Sequence, residues 1–233
     1  MAAPSALASA IDRWGIRLGA PFTEVYPGNL VYHCTLPDGT PAVVKSEPDR
    51  GGEDEFLSGI AALEVYGGRG MVRMLEVDHE ERIVLMELVV PGETLWRTPI
   101  ADALAAVSSV MAKLRRAPPA DHRFPDVRDH RLAWAKHRLL YGGPGPIDAD
   151  LFEVGERLFV ELCDSSVAPV VLHGDLHYGN VLRSDRQGWL AIDPKGNTGE
   201  PCYETGAVLR NRIDELYDTP DPVAAMRGRI EAL

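Results

Sequence analysis

Val170-Val-Leu-His-Gly-Asp-Leu-His-Tyr-Gly-Asn-Val-Leu182, followed after six residues by Trp189-Leu-Ala-Ile-Asp-Pro-Lys-Gly196, decides how this chain is read. Residues 170–172 and 189–192 are short apolar runs of the length and β-branched or aromatic character of buried strands. Between and beyond their ends stand His173, Asp175, His177, Asn180 and Asp193. Polar groups drawn next to apolar strand ends lose hydration, and they persist there only with partners or a task. The pattern marks a site.

The spacing says which chemistry the site suits. Asp175 and Asn180 are five apart, as in the catalytic loop pattern H-R-D-x-x-x-x-N. Asp193 follows a second hydrophobic strand, the position of a metal-holding Asp in phosphoryl transfer. Far upstream, Lys45 ends a Val-Val-Lys strand. Phosphoryl transfer needs this set: a carboxylate for the acceptor hydroxyl, oxygen ligands for Mg²⁺, and a cation for nucleotide phosphates. Taken singly, each residue has an ordinary alternative. A strand lysine is usually a solvated edge residue, and Asp193 before Pro194 can open a turn. Glu53-Asp-Glu55 can be an acidic first helical turn that complements the dipole. A sharper rival is H-x-D-x-H, since a strand through 173–177 would put His173, Asp175 and His177 on one face for a metal. That site would need further ligands, and the other five histidines sit in no such context.

Working outward, residues 1–19 read as an amphipathic helix through Leu7, Ile11, Trp14 and Leu18. Residues 29–36 and 41–45 form a hairpin across Pro37-Asp-Gly-Thr40, with Lys45 late on its second strand. A helix is expected over 53–66, stopped by Gly67-Gly68, and a strand pair over 72–77 and 82–89. Pro91-Gly92 reads as a hinge. Helices follow over 101–116, 128–140 and 148–163, and a last helical region begins at Cys202. The expected architecture is α+β with two lobes: a β-rich one over 1–90 and an α-rich one over 91–233.

Composition narrows the class. The chain has 233 residues, 45% hydrophobic and 25% charged, ordinary for a globular protein. No apolar run approaches the roughly 18 residues of a membrane span, so no membrane partner is expected. Three scattered cysteines and the lack of a basic n-region at the start point to a reducing cytoplasm. A net charge of −11 argues against a nucleic-acid partner and suits either a cationic small molecule or simple solubility, the commoner reading of charge alone.

His173-Gly-Asp-Leu-His-Tyr-Gly-Asn180 with Ile192-Asp-Pro-Lys-Gly196 resembles the aminoglycoside phosphotransferase superfamily, within it the streptomycin 6-kinase and hydroxyurea-resistance kinase group. Supporting stretches are Tyr66-Gly-Gly-Arg-Gly-Met-Val-Arg73, Leu85-Met-Glu87, Pro91-Gly92 and Leu209-Arg-Asn211. The resemblance implies a protein-kinase-like two-lobe fold and transfer of a phosphoryl group from Mg·ATP to a hydroxyl of a cationic aminoglycoside antibiotic. Asp175 is then the catalytic base or hydroxyl-orienting carboxylate, Asn180 and Asp193 the metal ligands, and Lys45 the phosphate clamp. Glu87 to Val89 offer backbone groups to adenine. His173 and Glu204 brace the loop, and Lys195 lies near the phosphates or in an ion pair. The alternatives are a kinase of hydroxyurea or another small alcohol, and a truncated nucleotide-binding pseudokinase.

Three departures from the family pattern carry expectations. The nucleotide-covering hairpin is marked only by Gly28 in Tyr26-Pro-Gly-Asn-Leu30. The helix-borne Glu that should pair with Lys45 falls at Gly59, so Glu55 becomes its substitute. The chain stops at Leu233, short of its relatives. The carboxylates left for a cationic acceptor are Glu200, Glu204, Asp214, Glu215, Asp218 and Asp221. ATP binding is therefore expected to survive while acceptor binding is weak, strongly salt-dependent or lost, unless the helix from Arg128 to Tyr141 closes the pocket.

Overall fold

The computed structural model describes residues 5–23, 27–48, 55–165 and 168–233. Tyr26 of the candidate hairpin, and the expected helix start at Glu53, lie outside them. The first lobe is an antiparallel five-stranded sheet of β1 (Arg17–Pro21), β2 (Leu30–Thr35), β3 (Pro41–Ser46), β4 (Met74–Asp78) and β5 (Ile83–Glu87), in the order β1-β2-β3-β5-β4. Helix α1 (Ala8–Trp14) covers one face and α2 (Glu55–Tyr66) the other. The expected helix over 1–19 is therefore shorter. Gly15, at φ +60°, ends it, and Leu18 joins the first strand.

Period-two alternation on β3 places Lys45. Ala42 and Val44 join Leu7, Ala10 and Ile16 in a cluster under α1. Val43 and Lys45 consequently point to the opposite face, where Phe56, Ile60 and Leu63 of α2 pack.

The second lobe is mostly helical. It contains α3 (Ile100–Leu114), α4 (Arg131–Tyr141), α5 (Ala149–Asp164), α6 (Glu204–Arg210), α7 (Asp214–Tyr217) and α8 (Pro222–Glu231). Two small sheets are set among them. Strand β6 (Pro91–Thr94) pairs with β8 (Val181–Ser184), which pairs with β9 (Gly188–Ala191). Strand β7 (Val170–Leu172) pairs with β10 (Asn197–Gly199). Pro91-Gly92 thus opens a strand rather than serving only as a hinge. Tolerance of Pro at the first residue of an edge strand allows this. One core runs from α2 through β5 into α3, β8 and β9, joining the lobes.

Arg186, in the turn between β8 and β9, ties that turn to the first lobe. Its guanidinium donates to the carbonyls of Gly68 at 2.6 Å and Met71 at 3.0 Å, and to the Glu87 carboxylate at 2.5 Å. Glu87 also accepts from the Arg73 amide at 2.9 Å. Arg186→Ala should lower stability by about 2 kcal/mol, because it leaves partly buried acceptors short of their donor. Urea denaturation measures it. Arg186→Lys should recover little, since an ammonium lacks the planar fork; full recovery would show that charge alone suffices.

Candidate active site

The two polar loops lie side by side because their strands pair. Val181 opposes Ala191 in the β8–β9 ladder, so Asn180 and Ile192 meet across it, and the Ile192 amide donates to the Asn180 carbonyl at 2.9 Å. Leu172 opposes Asn197 in the β7–β10 ladder, and the Lys195 amide donates to the His173 carbonyl at 2.8 Å. Asp175, Asn180 and Asp193 are thereby gathered at one end of both small sheets.

Lys45 reaches this place from the other lobe. Its ammonium pairs with the Asp193 carboxylate and, at 2.5 Å, with Glu47. Burial alone would lower the Lys45 pKa, but the Asp193 and Glu47 charges outweigh it and hold the group above its ordinary value. Asp193 behaves reciprocally: although about half its side-chain surface is open, the atoms crowded around it oppose its ionisation, and Lys45 nevertheless keeps its carboxyl below the usual range. Asp193 also sits at φ +60°, a left-handed conformation that Asp tolerates better than most residues.

Glu55 does not take the Lys45 pairing expected of it. Its carboxylate lies 3.4 Å from the Lys195 ammonium. The reason is visible one turn along α2. A Cβ at Gly59 would stand 2.5 Å from the Pro194 carbonyl oxygen, and one at Gly196 would overlap the Ser58 carbonyl. The Ser58 hydroxyl completes the contact by donating to the Lys195 carbonyl at 2.6 Å. Helix α2 therefore rests backbone-to-backbone on the Asp193-Pro-Lys-Gly196 loop, and a glutamate at 59 has no room. Glu47, on the same lobe as Lys45, supplies the second carboxylate; nothing in the order of residues singled it out.

His173 braces the loop. One ring nitrogen faces the Ile192 carbonyl at 2.8 Å, and the other accepts from the Asp175 amide at 3.2 Å. Burial drives its pKa down to about 4, so the ring is neutral. His177 is turned to the Gly179 amide, its Nδ1 accepting at 3.0 Å. The H-x-D-x-H metal reading fails on this geometry: both ring nitrogens of His173 are already engaged. Among the described residues no cluster of three or more His, Cys, Asp or Glu could hold a metal ion.

A different donor set fits a hard cation. The Asn180 amide nitrogen donates to the Asp175 carbonyl at 3.0 Å, which leaves Oδ1 without a hydrogen bond among the described residues. The Asp193 side chain is 53% exposed. A carboxylate and an amide oxygen at adjoining positions suit Mg²⁺ with the rest of its shell from phosphate and water. At the hinge end, the Glu87 side chain is committed to Arg186, while Val89 lies outside the strand ladders. Gly28 is at φ +91°, on the approach to β2.

Beneath the loop, Glu204 accepts from the amides of His173 and, at 3.2 Å, Gly174. Burial pushes its carboxyl up to about 7 despite those donors, and Oε2 has no partner among the described residues. Glu215 is likewise absorbed, paired with Arg212 at 2.7 Å and Arg229 at 3.5 Å, and Asp221 caps α8. Three of the six carboxylates expected for an acceptor are thus structural. A cavity of about 280 Å³ beside the loop is lined by Glu55, Gly174, Lys195, Tyr203, Arg210 and His130, among others. Its cations are Lys195 and Arg210, and the only sequence signal at Arg210 is the short Leu209-Arg-Asn211 stretch.

Glu204 and His173 make opposing contributions to stability. The unfolded chain protonates His173 below pH 6.5 and the folded chain only near 4, so this group costs stability as pH falls through that window. Folded Glu204 keeps its proton to about 7 while the unfolded carboxyl loses it above 4.5, so this group costs stability as pH rises. Between pH 4.5 and 6.5 the slopes oppose each other. In Glu204→Gln the His173 slope stands alone, and stability should rise by roughly 3 kcal/mol across that interval relative to the parent chain. Urea denaturation at both pH values tests it; equal slopes in the two proteins would show Glu204 to be ionised throughout.

A family model described as aminoglycoside/hydroxyurea antibiotic resistance kinase matches residues 23–233. The chain belongs to that family. A hydroxyurea phosphotransferase of Kitasatospora aureofaciens is 35% identical to this family member over 216 residues, 89% of the chain and 61% of that protein. The chain thus spans under two thirds of that relative's length. A streptomycin 6-kinase of Streptomyces glaucescens is 30% identical over 240 residues, 100% of this chain and 75% of its own. Among solved structures, choline kinase LicA of Streptococcus pneumoniae has a TM-score of 0.64 at 16% identity, covering 96% of this chain and 76% of that one. That likeness shows the kinase-like fold of this family member.

Proposed function

We propose that this chain transfers the γ-phosphoryl group of ATP to a hydroxyl of a streptomycin-like aminoglycoside, inactivating a cationic antibiotic. The observation that carries the reading is the ion pair of Lys45 with Asp193, 148 positions apart, beside a loop presenting Asp175 and Asn180. Residues 1–90 act as the nucleotide-binding lobe and residues 91–233 as the catalytic and acceptor-binding lobe. Lys45 clamps phosphate oxygens, and the backbone at Val89 meets adenine. Asn180 and Asp193 hold Mg²⁺, which neutralises phosphate charge when bound. Asp175 orients the acceptor hydroxyl and takes its proton, so most of the rate comes from positioning and charge. Three unpaired cysteines suit action in a reducing cytoplasm.

A second acceptor is favoured by a specific observation. The cavity at Gly174, lined by Lys195 and Arg210, has among the described residues one carboxylate, Glu55, a lining that suits a small neutral hydroxyl compound such as hydroxyurea. ³¹P NMR of ATP with streptomycin, other aminoglycosides and hydroxyurea decides between them. A new phosphomonoester resonance together with ADP identifies the acceptor. Measurable ATP binding with no product from any of them would overturn the enzyme reading in favour of a nucleotide-binding pseudokinase.

A further inference from the structure

Helix α6 grips the catalytic loop at both of its ends. Its first residue, Glu204, holds the amides of His173 and Gly174, and its last, Arg210, donates to Asp175 Oδ1 at 2.8 Å. The other oxygen, Oδ2, is 4.0 Å from His177 Nε2, beyond hydrogen-bond reach. Among the described residues Asp175 is thus bound on one oxygen and open on the other. The last torsion of an Asp side chain is broad and roughly two-fold, so an unheld carboxylate turns freely between orientations.

We infer that Arg210 is a positioning residue for this reaction, clamping Asp175 Oδ1 so that Oδ2 is the oxygen offered to the acceptor. This rests on the phosphotransfer reading above. In the transfer the acceptor oxygen bonds to the γ-phosphorus while the bond to the bridging oxygen breaks. ADP leaves with the electron pair, and the hydroxyl proton passes to Oδ2. Arg210 is 66% exposed, so its pair with Asp175 adds at most about 1 kcal/mol to stability. Its effect lies in geometry, where misplacement of a reacting group by about 1 Å can lower a rate by about a hundredfold. The same guanidinium lines the cavity next to Gly174, on the side from which an acceptor can approach.

The test compares the parent chain with Arg210→Ala and Arg210→Lys. In Arg210→Ala, kcat should fall about 10- to 100-fold, with the KM for ATP and the melting temperature unchanged. Millimolar guanidinium chloride should restore part of the rate, and sodium chloride at equal ionic strength should not. Arg210→Lys should fall between the other two. An unchanged kcat in Arg210→Ala, or a loss that guanidinium does not relieve, overturns the clamp. If the parent chain phosphorylates no acceptor, the phosphotransfer reading fails by itself. Crystal structures of the parent and Arg210→Ala then judge Arg210: a rotated or split Asp175 carboxylate in the variant supports the clamp, and one shared orientation overturns it.

Discussion

Replacing Asp175 by Asn should lower turnover about 10²- to 10⁴-fold while leaving nucleotide affinity unchanged, the scale expected for a positioned acid or base. The substitution is informative because an amide oxygen can still accept from Arg210, at 2.8 Å in the parent chain, so the side chain keeps its place and loses its charge. Among the described residues Asp175 forms no hydrogen bond or ion pair with Lys45 or Asp193, and the loop backbone is held independently by Glu204 and His173. Nucleotide binding should therefore not register the change. Calorimetry with an ATP analogue and a steady-state assay measure the two quantities. Asp193→Ala should behave differently, weakening metal-dependent nucleotide binding as well as rate, since it removes both a candidate metal ligand and the partner of Lys45. A parent-like rate in Asp175→Asn would remove the carboxylate from the mechanism.

The second large effect is expected on stability. Gly196→Ala places a Cβ against the Ser58 carbonyl at a position whose φ is +72°. A left-handed conformation costs a non-glycine residue about 1–2 kcal/mol, and the clash is with helix backbone, which cannot rotate aside. The total should be about 3 kcal/mol or more by urea denaturation. Gly188→Ala is the control: φ there is +80°, yet nothing lies within 4 Å of the added carbon, so only the conformational part applies. Equal losses at both positions would mean that the contact between α2 and the loop carries no weight.

Much of the site was legible because its residues violate their surroundings. Asp175, Asn180 and Asp193 stand at the ends of apolar strands and Lys45 completes one, and their spacing and order, together with the family resemblance, singled them out. The pairing of elements far apart in sequence was not legible. Strand β6 begins with Pro91-Gly92, the strongest turn signal in its neighbourhood, and becomes a strand only because β8 lies alongside it. Strand β10 is Asn197-Thr-Gly199, with no apolar residue to announce it. Gly59 looked like a missing glutamate; in space it is a contact surface, which no local propensity encodes. Arg210 carries no sequence signal of its own, because an arginine ending a surface helix is ordinary. Its meaning arises only when α6 lies against the catalytic loop.

The seating of α2 on the Asp193–Gly196 loop has a kinetic consequence. Where such a helix swings away, part of the molecules is idle at any instant, and apparent affinity is diminished by the idle fraction. Here Gly59, Gly196 and the Ser58 hydroxyl seat the helix directly on the loop, so leaving it would cost backbone packing and a hydrogen bond. If the chain is the proposed kinase, progress curves started with ATP should show no lag. A lag in those curves would instead mean that the helix must settle onto the loop before turnover.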